Sequence, residues 1–461
     1  AKSTTTATMS SQSARVAVVI VAICLFFLPP HTECVPSSRL ESVVTEWKVA
    51  TFAGNGTEAS IDGDISHAAI SEPFGLEVVK DSNGGQKVYF VEFGGQRIQN
   101  LTRCNVGGYS CSDVKHAAPG CASAPGRTFS GINSCECGCD IFFMMKSGHR
   151  VRVVEDGHVR TVAGSGLRGF RDGAAADAMF NHPYDVISDG KGGLLIADAL
   201  NHAVRHFDGT HVKTLVGKDG VPGWRNALNY PTGLAMVKST GEVIVADRGN
   251  NCIRVIPTSE SKNISTIAGN CGEGHWGHRD GPALDALFSG PTSVTVTATG
   301  DVIYITDAAN NAVRVLTSAS GAWMVTTLNA DVGAHNVFNM PMGIALDATH
   351  NALFVSSYFG GRVYRYSGLS GTTAHELELI AGDGNYSFQD GPGMSASFKG
   401  VKGLAWDSDS ETLFVGDFFN NRIRTISPTT PLPRSAVLLS SLTQHTNADD
   451  GVDGVGGIDA L

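Results

Sequence analysis

The sequence predicts an all-β protein built from repeated four-stranded units, and three observations support this prediction. Similar segments recur at residues 159–186, 264–294 and 377–404, each with an Ala-Gly pair, an Asp-Gly pair and a Phe. A short apolar run and an Asp-x-x-Asn turn follow at Asp198, Asp247, Asp307 and Asp417. Glycine is frequent, at 55 of 461 residues, and only 17% of residues are charged, as in short strands joined by tight turns. Periods of this size indicate stacked modules.

Each unit reads as four strands. In the clearest unit, short runs rich in Val and Ile lie between Gly, Asp and Asn, at residues 184–188, 194–198, 203–207 and 212–216. Four strands in meander order make one blade of a β-propeller. We therefore expect a β-propeller of four-stranded blades.

The number of blades follows from the spacing. The pattern recurs from Thr232, Thr292, Met342 and Lys402, and more weakly from Phe74. The 110 residues from Pro73 to Pro183 equal about two periods, which predicts a hidden unit made of residues 131–133, 141–145, 150–154 and 158–164. The sequence thus favours seven blades, with six as the alternative.

Residues 45–443 are assigned to the propeller. Propellers commonly close by borrowing a strand from the opposite terminus, and residues 47–54 read as a detached fourth strand for the blade that ends at Ile426. Residues 436–442 compete for that place. Residues 444–461 are predicted to be a flexible tail or the start of a truncated repeat, because their Asp-Gly and Asp-Ala-Leu resemble an inter-blade loop.

Residues 1–34 resemble a secretory signal. Residues 16–28 are an uninterrupted apolar run followed by Pro29, too short for a comfortable membrane span but suited to the apolar region of a signal peptide. The alternative is an uncleaved signal anchor. We therefore expect a secreted or extracellular protein, or one tethered to a membrane with a lumenal or extracellular propeller.

The cysteines fit an oxidising compartment. Six crowd into an insertion at residues 104–139, for which three disulfides are favoured over a zinc site: Cys104, Cys111, Cys121, Cys135, Cys137 and Cys139. Cys252 opens a third strand and Cys271 follows the antiparallel fourth, so we expect a disulfide between them. Four glycosylation sequons begin at Asn55, Asn100, Asn263 and Asn385.

Charge and motifs exclude several classes of function. The net charge is −10 and no cluster of Lys or Arg is present, so nucleic acid is not an expected partner. No nucleophile elbow, phosphate loop, His-Glu-x-x-His motif or kinase signature occurs.

Several elements resemble the NHL repeat family. They are a strand ending in Ala268-Gly269, a Pro231-Thr232-Gly233-Leu234 strand start, the run Val243–Asp247, and residues 250–254, across a resemblance that covers roughly residues 47–427. This resemblance implies a β-propeller used mostly as a binding platform, with a minority of members and relatives acting as enzymes. Fold alone does not decide between these roles.

The Asp-x-x-Asn turns and the long Asp-Gly loops should share one face, because antiparallel strands return the two connections to the same side. Carboxylate and amide oxygens are ligands that calcium takes, but repetition of these residues in four blades favours a structural role in the turns over a calcium site. The arginines after each turn are expected to pack between blades or to bond turn carboxylates: Arg205, Arg254, Arg314 and Arg424.

Function is expected where the repeat departs from its pattern near the axis. The candidate axial residues stand before or at the start of first strands: Glu72, Phe74, His182, Tyr184, Asp185, Tyr230, Met340, Met342 and Lys402. Asp185 is notable because its counterparts are Gly75, Gly233, Gly343 and Gly403.

The favoured function is a binding platform for a protein, peptide or glycan, without a cofactor. The alternative is a metal-dependent lyase or hydrolase that holds zinc or calcium at an axial site near His182 and Asp185. A complete zinc site would need further histidines, drawn from His67, His275, His278 or His335.

Overall fold

The computed structural model describes residues 45–93, 148–217, 227–257, 264–272, 274–319, 321–328, 337–369 and 376–432. The predicted signal segment, the cysteine-rich insertion, residues 436–442 and the tail lie outside the described residues. Asn100 and Asn263 do as well.

The fold is a β-propeller of six blades, each with four antiparallel strands in meander order. From the axis outward, the strands of blade 1 are Pro73–Lys80, Gln86–Glu92, Arg150–Glu155 and His158–Ala163, and those of blade 2 are Pro183–Ser188, Leu194–Asp198, Ala203–Phe207 and His211–Val216. The strands of blade 3 are Pro231–Met236, Val243–Asp247, Cys252–Ile256 and Ser265–Ala268, and those of blade 4 are Pro291–Val296, Val302–Asp307, Ala312–Ala319 and Ala322–Thr327. The strands of blade 5 are Pro341–Asp347, Ala352–Ser357, Arg362–Ser367 and Glu376–Ala381, and those of blade 6 are Val401–Asp407, Thr412–Asp417, Arg422–Pro428 and Trp47–Ala53.

Short strands extend four blades outward. Gly63–Asp64, Gly173–Ala174, Gly281–Pro282 and Gly391–Pro392 each pair with an outermost strand, in blades 1, 2, 4 and 6 respectively. These pieces are the Asp-Gly segments of the crossover loops. The loops therefore run along the outside of a blade before they return to the axis.

The ring closes as the sequence predicts. Trp47–Ala53 pairs antiparallel with Arg422–Pro428 and supplies the outermost strand of blade 6. Trp47 and Val49 are buried in the same cluster as Val415 and Ile426. This strand joins the two ends of the described chain, and no blade is left with an incomplete sheet.

The prediction of seven blades is wrong, and the alternative of six is confirmed. Arg150–Glu155 pairs with Gln86–Glu92, so these residues are the third strand of blade 1 and not part of a separate unit. The hairpin between these two strands is extended by the inserted residues. The insertion is long enough to imitate a repeat period, which explains the wrong count.

The six first strands pack edge to edge around the axis, in ring order, with blade 6 against blade 1. Glycine is required where they approach most closely. A Cβ on Gly343 or Gly403 would lie closer than 3.0 Å to the carbonyl oxygen of Lys402 or Phe74 in the next blade. The glycines of the strand starts thus allow the inner strands to pack.

A buried arginine organises five of the blades. Arg152, Arg205, Arg254, Arg314 and Arg424 are fully or almost fully buried, and each forms an ion pair with a buried carboxylate at the end of the second strand. In blade 4, for example, Arg314 Nη1 lies 2.7 Å from Asp307 Oδ2, and its Nη2 lies 2.6 Å from Asp280 Oδ1 in the crossover loop. The arginine therefore joins the turn to the loop outside it.

The Asp-x-x-Asn turns are short 3₁₀ segments, and their side chains serve the fold. Asp307 Oδ1 accepts the backbone N–H of Ser289, while Asn310 donates to Asp307 Oδ2 and to the carbonyl of Gly277. The same bonds recur at Asp198 and Asp417. These contacts confirm that the turns and crossover loops share one face, which we call the turn face.

A second repeated bond links five of the six blades to the next, and Gly361 stands at the equivalent position of blade 5. The residue after the turn adopts positive φ, as at Asn311 with φ 52°. Its side chain accepts the backbone N–H of the residue before the next first strand, as in Met340 N to Asn311 Oδ1 at 2.8 Å. Asn421, Asn251, His149 and His202 make the equivalent bond.

The predicted disulfide is confirmed: Cys252 and Cys271 are bonded, at a sequence separation of 19. It joins the start of the third strand of blade 3 to the residues that follow the fourth. Asn55 and Asn385 are exposed. Glycosylation at these two positions stays a prediction.

We expect the change Arg314→Met to lower the free energy of unfolding by about 3–5 kcal/mol, because it leaves Asp307 buried without its cation. Chemical denaturation monitored by circular dichroism measures this. The control is Arg160→Met, which removes a pair on a half-exposed arginine and should cost about 1 kcal/mol or less. Equal losses in the two variants would contradict the structural role of the buried pair.

We expect the double change Cys252→Ser and Cys271→Ser to lower the free energy of unfolding by about 3 kcal/mol, because the crosslink restricts the unfolded chain. The measurement is equilibrium denaturation of the wild type and of the double variant. A single Cys252→Ser variant with undiminished stability would show that the disulfide does not form.

Candidate functional site

The strongest candidate site lies where the first strands begin, on the turn face. Each is preceded by one residue with positive φ: Glu72, His182, Tyr230, Gly290, Met340 and Gly400. Four of these six are not glycine, although positive φ is unfavourable for side chains. The inter-blade bonds described above hold most of these residues in place. We call this ring of six residues the axial mouth.

A narrow cavity lies just inside the axial mouth. Residues from all six first strands line it: Phe74, Gly75, Tyr184, Asp185, Thr232, Thr292, Ser293, Met342, Gly343, Lys402 and Gly403. The second residue of each first strand points inward, and in five blades it is aromatic, Thr or Met. Blade 6 differs, because it places a lysine there.

Lys402 is held rigidly and caged by aromatic rings. Its backbone carbonyl accepts the Ser356 hydroxyl at 2.9 Å, and that hydroxyl also accepts the Gly343 N–H. The Lys402 Nζ lies 3.5 Å from the centroid of the Phe418 ring and 4.0 Å from that of Phe74. The rings of Phe93 and Tyr358 lie slightly farther away, at 5.2 and 5.1 Å. Such contacts stabilise an ammonium group.

The two charged groups near Lys402 shift its pKa in opposite directions. Burial lowers the pKa of Lys402 well below its ordinary value of 10.5, the Glu72 carboxylate raises it, and the Arg248 guanidinium lowers it. Glu72 is buried at the axial mouth. Arg248 follows the turn aspartate of blade 3, with its Cζ 5.7 Å from the Tyr230 ring centroid.

Tyr184 and Asp185 differ in their surroundings. The Tyr184 ring stacks 3.7 Å from Phe74 between centroids, and burial raises the pKa of its hydroxyl. Asp185 lines the cavity, but its two oxygens accept the backbone N–H groups of Val186 and Leu234. Burial raises the pKa of Asp185 to about 8. Asp185 therefore links blades 2 and 3.

His182 contacts a second histidine that the sequence did not single out. The ring centroids of His182 and His149 are 5.0 Å apart, and His149 Nδ1 accepts the His182 backbone N–H at 3.1 Å. Burial lowers the pKa of His149 to about 3, so this ring is neutral near pH 7. The pair packs against Phe93, whose centroid lies 4.6 Å from that of His182.

The structure does not bring the alternative metal ligands together. His182 contacts His149, Asn181 and Phe93, whereas Asp185 bonds to backbone in blades 2 and 3. Among the described residues, no group of three or more His, Cys, Asp or Glu side chains has metal-binding geometry. Of the other candidates, Tyr184 and Lys402 reach the cavity, while Glu72, Tyr230 and Met340 form the axial mouth.

Sequence reasoning missed a second ring of residues. The residue after the end of each second strand also faces the axis: Phe93, Ala199, Arg248, Ala308, Tyr358 and Phe418. The available signal was its variation, since Ala in two blades alternates with Phe, Tyr and Arg elsewhere. The Asp-x-x-Asn pattern predicts a structural turn, so the variable residue directly after the aspartate does not stand out in the sequence.

Aromatic side chains continue outward from the axial mouth across blades 5 and 6. Phe359, Tyr386 and Phe388 are 55%, 43% and 42% exposed. Phe419 joins Tyr386 to the axis, with its centroid 4.8 Å from Phe418 and 6.0 Å from Tyr386. Phe388 lies over Arg422, whose Cζ is 4.0 Å from its ring centroid. We call Phe359, Tyr386, Phe388 and Phe419 the aromatic rim.

No helix among the described residues is both long and apolar enough to cross a membrane.

The comparisons with known proteins identify the repeat. The NHL repeat family model matches residues 228–256, which contain the start of blade 3. NHL repeat-containing protein 2 of Homo sapiens is 25% identical over 249 residues, covering 46% of this chain and 33% of that protein. Protein SUPPRESSOR OF QUENCHING 1, chloroplastic, of Arabidopsis thaliana is 25% identical over 291 residues, covering 58% and 27%. The matched region is thus about a third or less of these relatives' length.

Solved structures of low sequence identity resemble this chain in fold, and the likeness extends to the fold alone. An auxiliary nutrient binding protein from Bacteroides thetaiotaomicron superimposes with a TM-score of 0.53 at 11% identity, covering 84% of this chain and 77% of that chain. One from Bacteroides ovatus gives a TM-score of 0.52 at 14% identity, covering 84% and 78%.

The fold and its closed ring define a six-bladed β-propeller. The resemblance found in the sequence is confirmed, since the NHL repeat model matches within blade 3 and NHL repeat-containing proteins are among the relatives of this chain.

We expect stability to depend on pH through Glu77, a residue of the first strand of blade 1. Burial raises its pKa to about 7 from 4.5, so it favours folding below pH 4.5, and this contribution is lost as the pH rises through 7. The change Glu77→Gln should therefore reduce the loss of stability between pH 5 and pH 8. Thermal unfolding across that range tests this.

The control for that experiment is the exposed Glu376→Gln, which should leave the pH profile of unfolding unchanged. A Glu77→Gln profile that coincides with the wild-type profile would contradict the raised pKa.

Proposed function

We propose that the protein is a secreted or lumen-facing binding platform that holds a protein, peptide or glycan on the turn face. The observation that carries this proposal is the aromatic rim, whose side chains stay exposed beside the axial mouth on a rigid ring. Exposed aromatic residues clustered beside a pocket are typical of binding surfaces. Within the described residues, no group of three or more His, Cys, Asp or Glu side chains is placed to hold the metal that the enzyme alternative requires.

The arrangement of the scaffold supports the same role. The arginine pairs and inter-blade bonds fix the turns, so the residues between them can vary without loss of the fold. Loops on a rigid scaffold commonly carry binding residues. The two Bacteroides neighbours are nutrient binding proteins, and their likeness in fold supports a binding role for this ring.

The proposed location rests on cysteine chemistry and on the predicted signal. The Cys252–Cys271 disulfide fits an oxidising compartment. Mass analysis of protein purified from its native source would determine whether residues 1–34 are removed and whether Asn55 and Asn385 carry glycans.

The proposal is tested with a random peptide library and a glycan array, each applied to the immobilised protein. We expect Phe359→Ser and Phe388→Ser each to weaken binding of a selected ligand by about tenfold or more, because exposed aromatic residues dominate interface energies. Surface plasmon resonance measures the affinities.

The control variants are Leu284→Ser and Met394→Ser, which remove exposed apolar side chains beside the outer strands. They should leave the affinity unchanged. Losses confined to these outer variants, with none at Phe359 or Phe388, would refute the aromatic rim as the binding surface.

A further inference from the structure

Two basic side chains at the axial mouth form no ion pair with another residue of the described ranges. Lys402 is 7% exposed, and within the described ranges neither it nor Arg248 forms an ion pair or a side-chain hydrogen bond. The five buried arginines each pair with a carboxylate, as Arg205 does with Asp198. Within the described ranges, Lys402 therefore differs from the other buried Lys and Arg side chains, whereas Arg248 is only partly buried.

These two cations stand across the axis from each other. Lys402 belongs to blade 6 and Arg248 to blade 3, which are opposite blades in a ring of six. Lys402 lines the cavity, and Arg248 lies beside Tyr230 of the axial mouth, with its Cζ 5.7 Å from that ring centroid. In agreement, the Arg248 charge lowers the pKa of Lys402. A single anionic group between them would interact with both.

A continuous arc of aromatic rings joins the two cations. Arg248 Cζ lies 5.7 Å from the Tyr230 centroid, and Tyr230 lies 6.0 Å from Tyr184 between centroids. Tyr184 then stacks on Phe74, over which Lys402 Nζ lies at 4.0 Å. This arc offers apolar contact to the body of a ligand whose charged group interacts with the cations.

Burying a lysine without hydrogen bonds is costly, and the rings offset only part of that cost. An ammonium group has three donors, which a carboxylate accepts well. The Glu72 carboxylate at the axial mouth favours the charged form of Lys402. A carboxylate bound in the cavity would add a charge-assisted bond to that ammonium group.

We propose that the axial mouth binds a carboxylate attached to an apolar or aromatic body, such as the carboxyl group of an apolar peptide, between Lys402 and Arg248. The proposal rests on the proposed function and deepens it by naming the chemistry of the ligand. The arc is lined mainly by rings and offers few polar groups, which favours an apolar carboxylate over a sugar.

The test uses 3-phenylpropionate and its neutral amide, 3-phenylpropionamide, titrated against the full chain by ligand-observed NMR. Wild-type protein should bind the acid at least about tenfold more tightly than the amide, because charge-assisted bonds form only with the carboxylate. Lys402→Met and Arg248→Met should each remove most of that difference, and Lys402→Arg should keep part of it.

The matched control is Lys399→Met, which removes a lysine three positions away that lies over Tyr386 at 5.9 Å. It should bind the acid as the wild type does. Thermal unfolding of each variant verifies folding, and if Lys402→Met does not fold, the less buried Arg248→Met decides the outcome.

The proposal is overturned if the acid and the amide bind equally well. It is also overturned if the acid fails to bind at up to about 10 mM, or if both cation variants keep wild-type affinity. Peptide or glycan binding that depends on Phe359 and Phe388 but not on Lys402 would leave the proposed function intact and refute the carboxylate site alone.

Discussion

The ion pair of the buried arginine, present in five of the six blades, is the interaction on which the rest of the structure depends. In blade 4, Arg314 bonds Asp307 at the end of the second strand and Asp280 in the crossover loop. Asp307 in turn fixes Ser289 ahead of the first strand of the same blade. One side chain therefore holds the turn, the outer loop and the entry to the axis in register. Because the pair is fully buried, neither charge tolerates loss of the other.

Local chemistry in the sequence was sufficient to predict the scaffold. The recurrent turns, the closing strand at residues 47–54, the bond from each arginine to a turn carboxylate and the Cys252–Cys271 bond all follow from short-range patterns. The count of blades failed because blade 1 separates its second and third strands by a long insertion. Periodicity measures distance along the chain, whereas blade membership is set by strand pairing.

The site could be predicted only in part, for a related reason. Tyr184 and Lys402 stand out within their own strands because their counterparts are different residues. The positions of Phe93, Arg248 and Phe418 around the axis depend on how the blades come together, which a pattern within one blade does not indicate. Asp185 also departs from the glycine pattern, yet its carboxyl bonds the backbone of blades 2 and 3. An unusual residue in a repeat thus serves either the scaffold or the ligand, and only its contacts distinguish the two.

The central claim is that the turn face binds and the opposite face only connects strands. Hydrogen–deuterium exchange with mass spectrometry, with and without a peptide selected from the library, tests this claim most directly. The account predicts ligand-dependent protection in the loops at residues 382–390 and in the turns around Arg248 and Phe418. Protection confined to the opposite hairpins, at residues 189–193, 237–242 and 407–411, would contradict it.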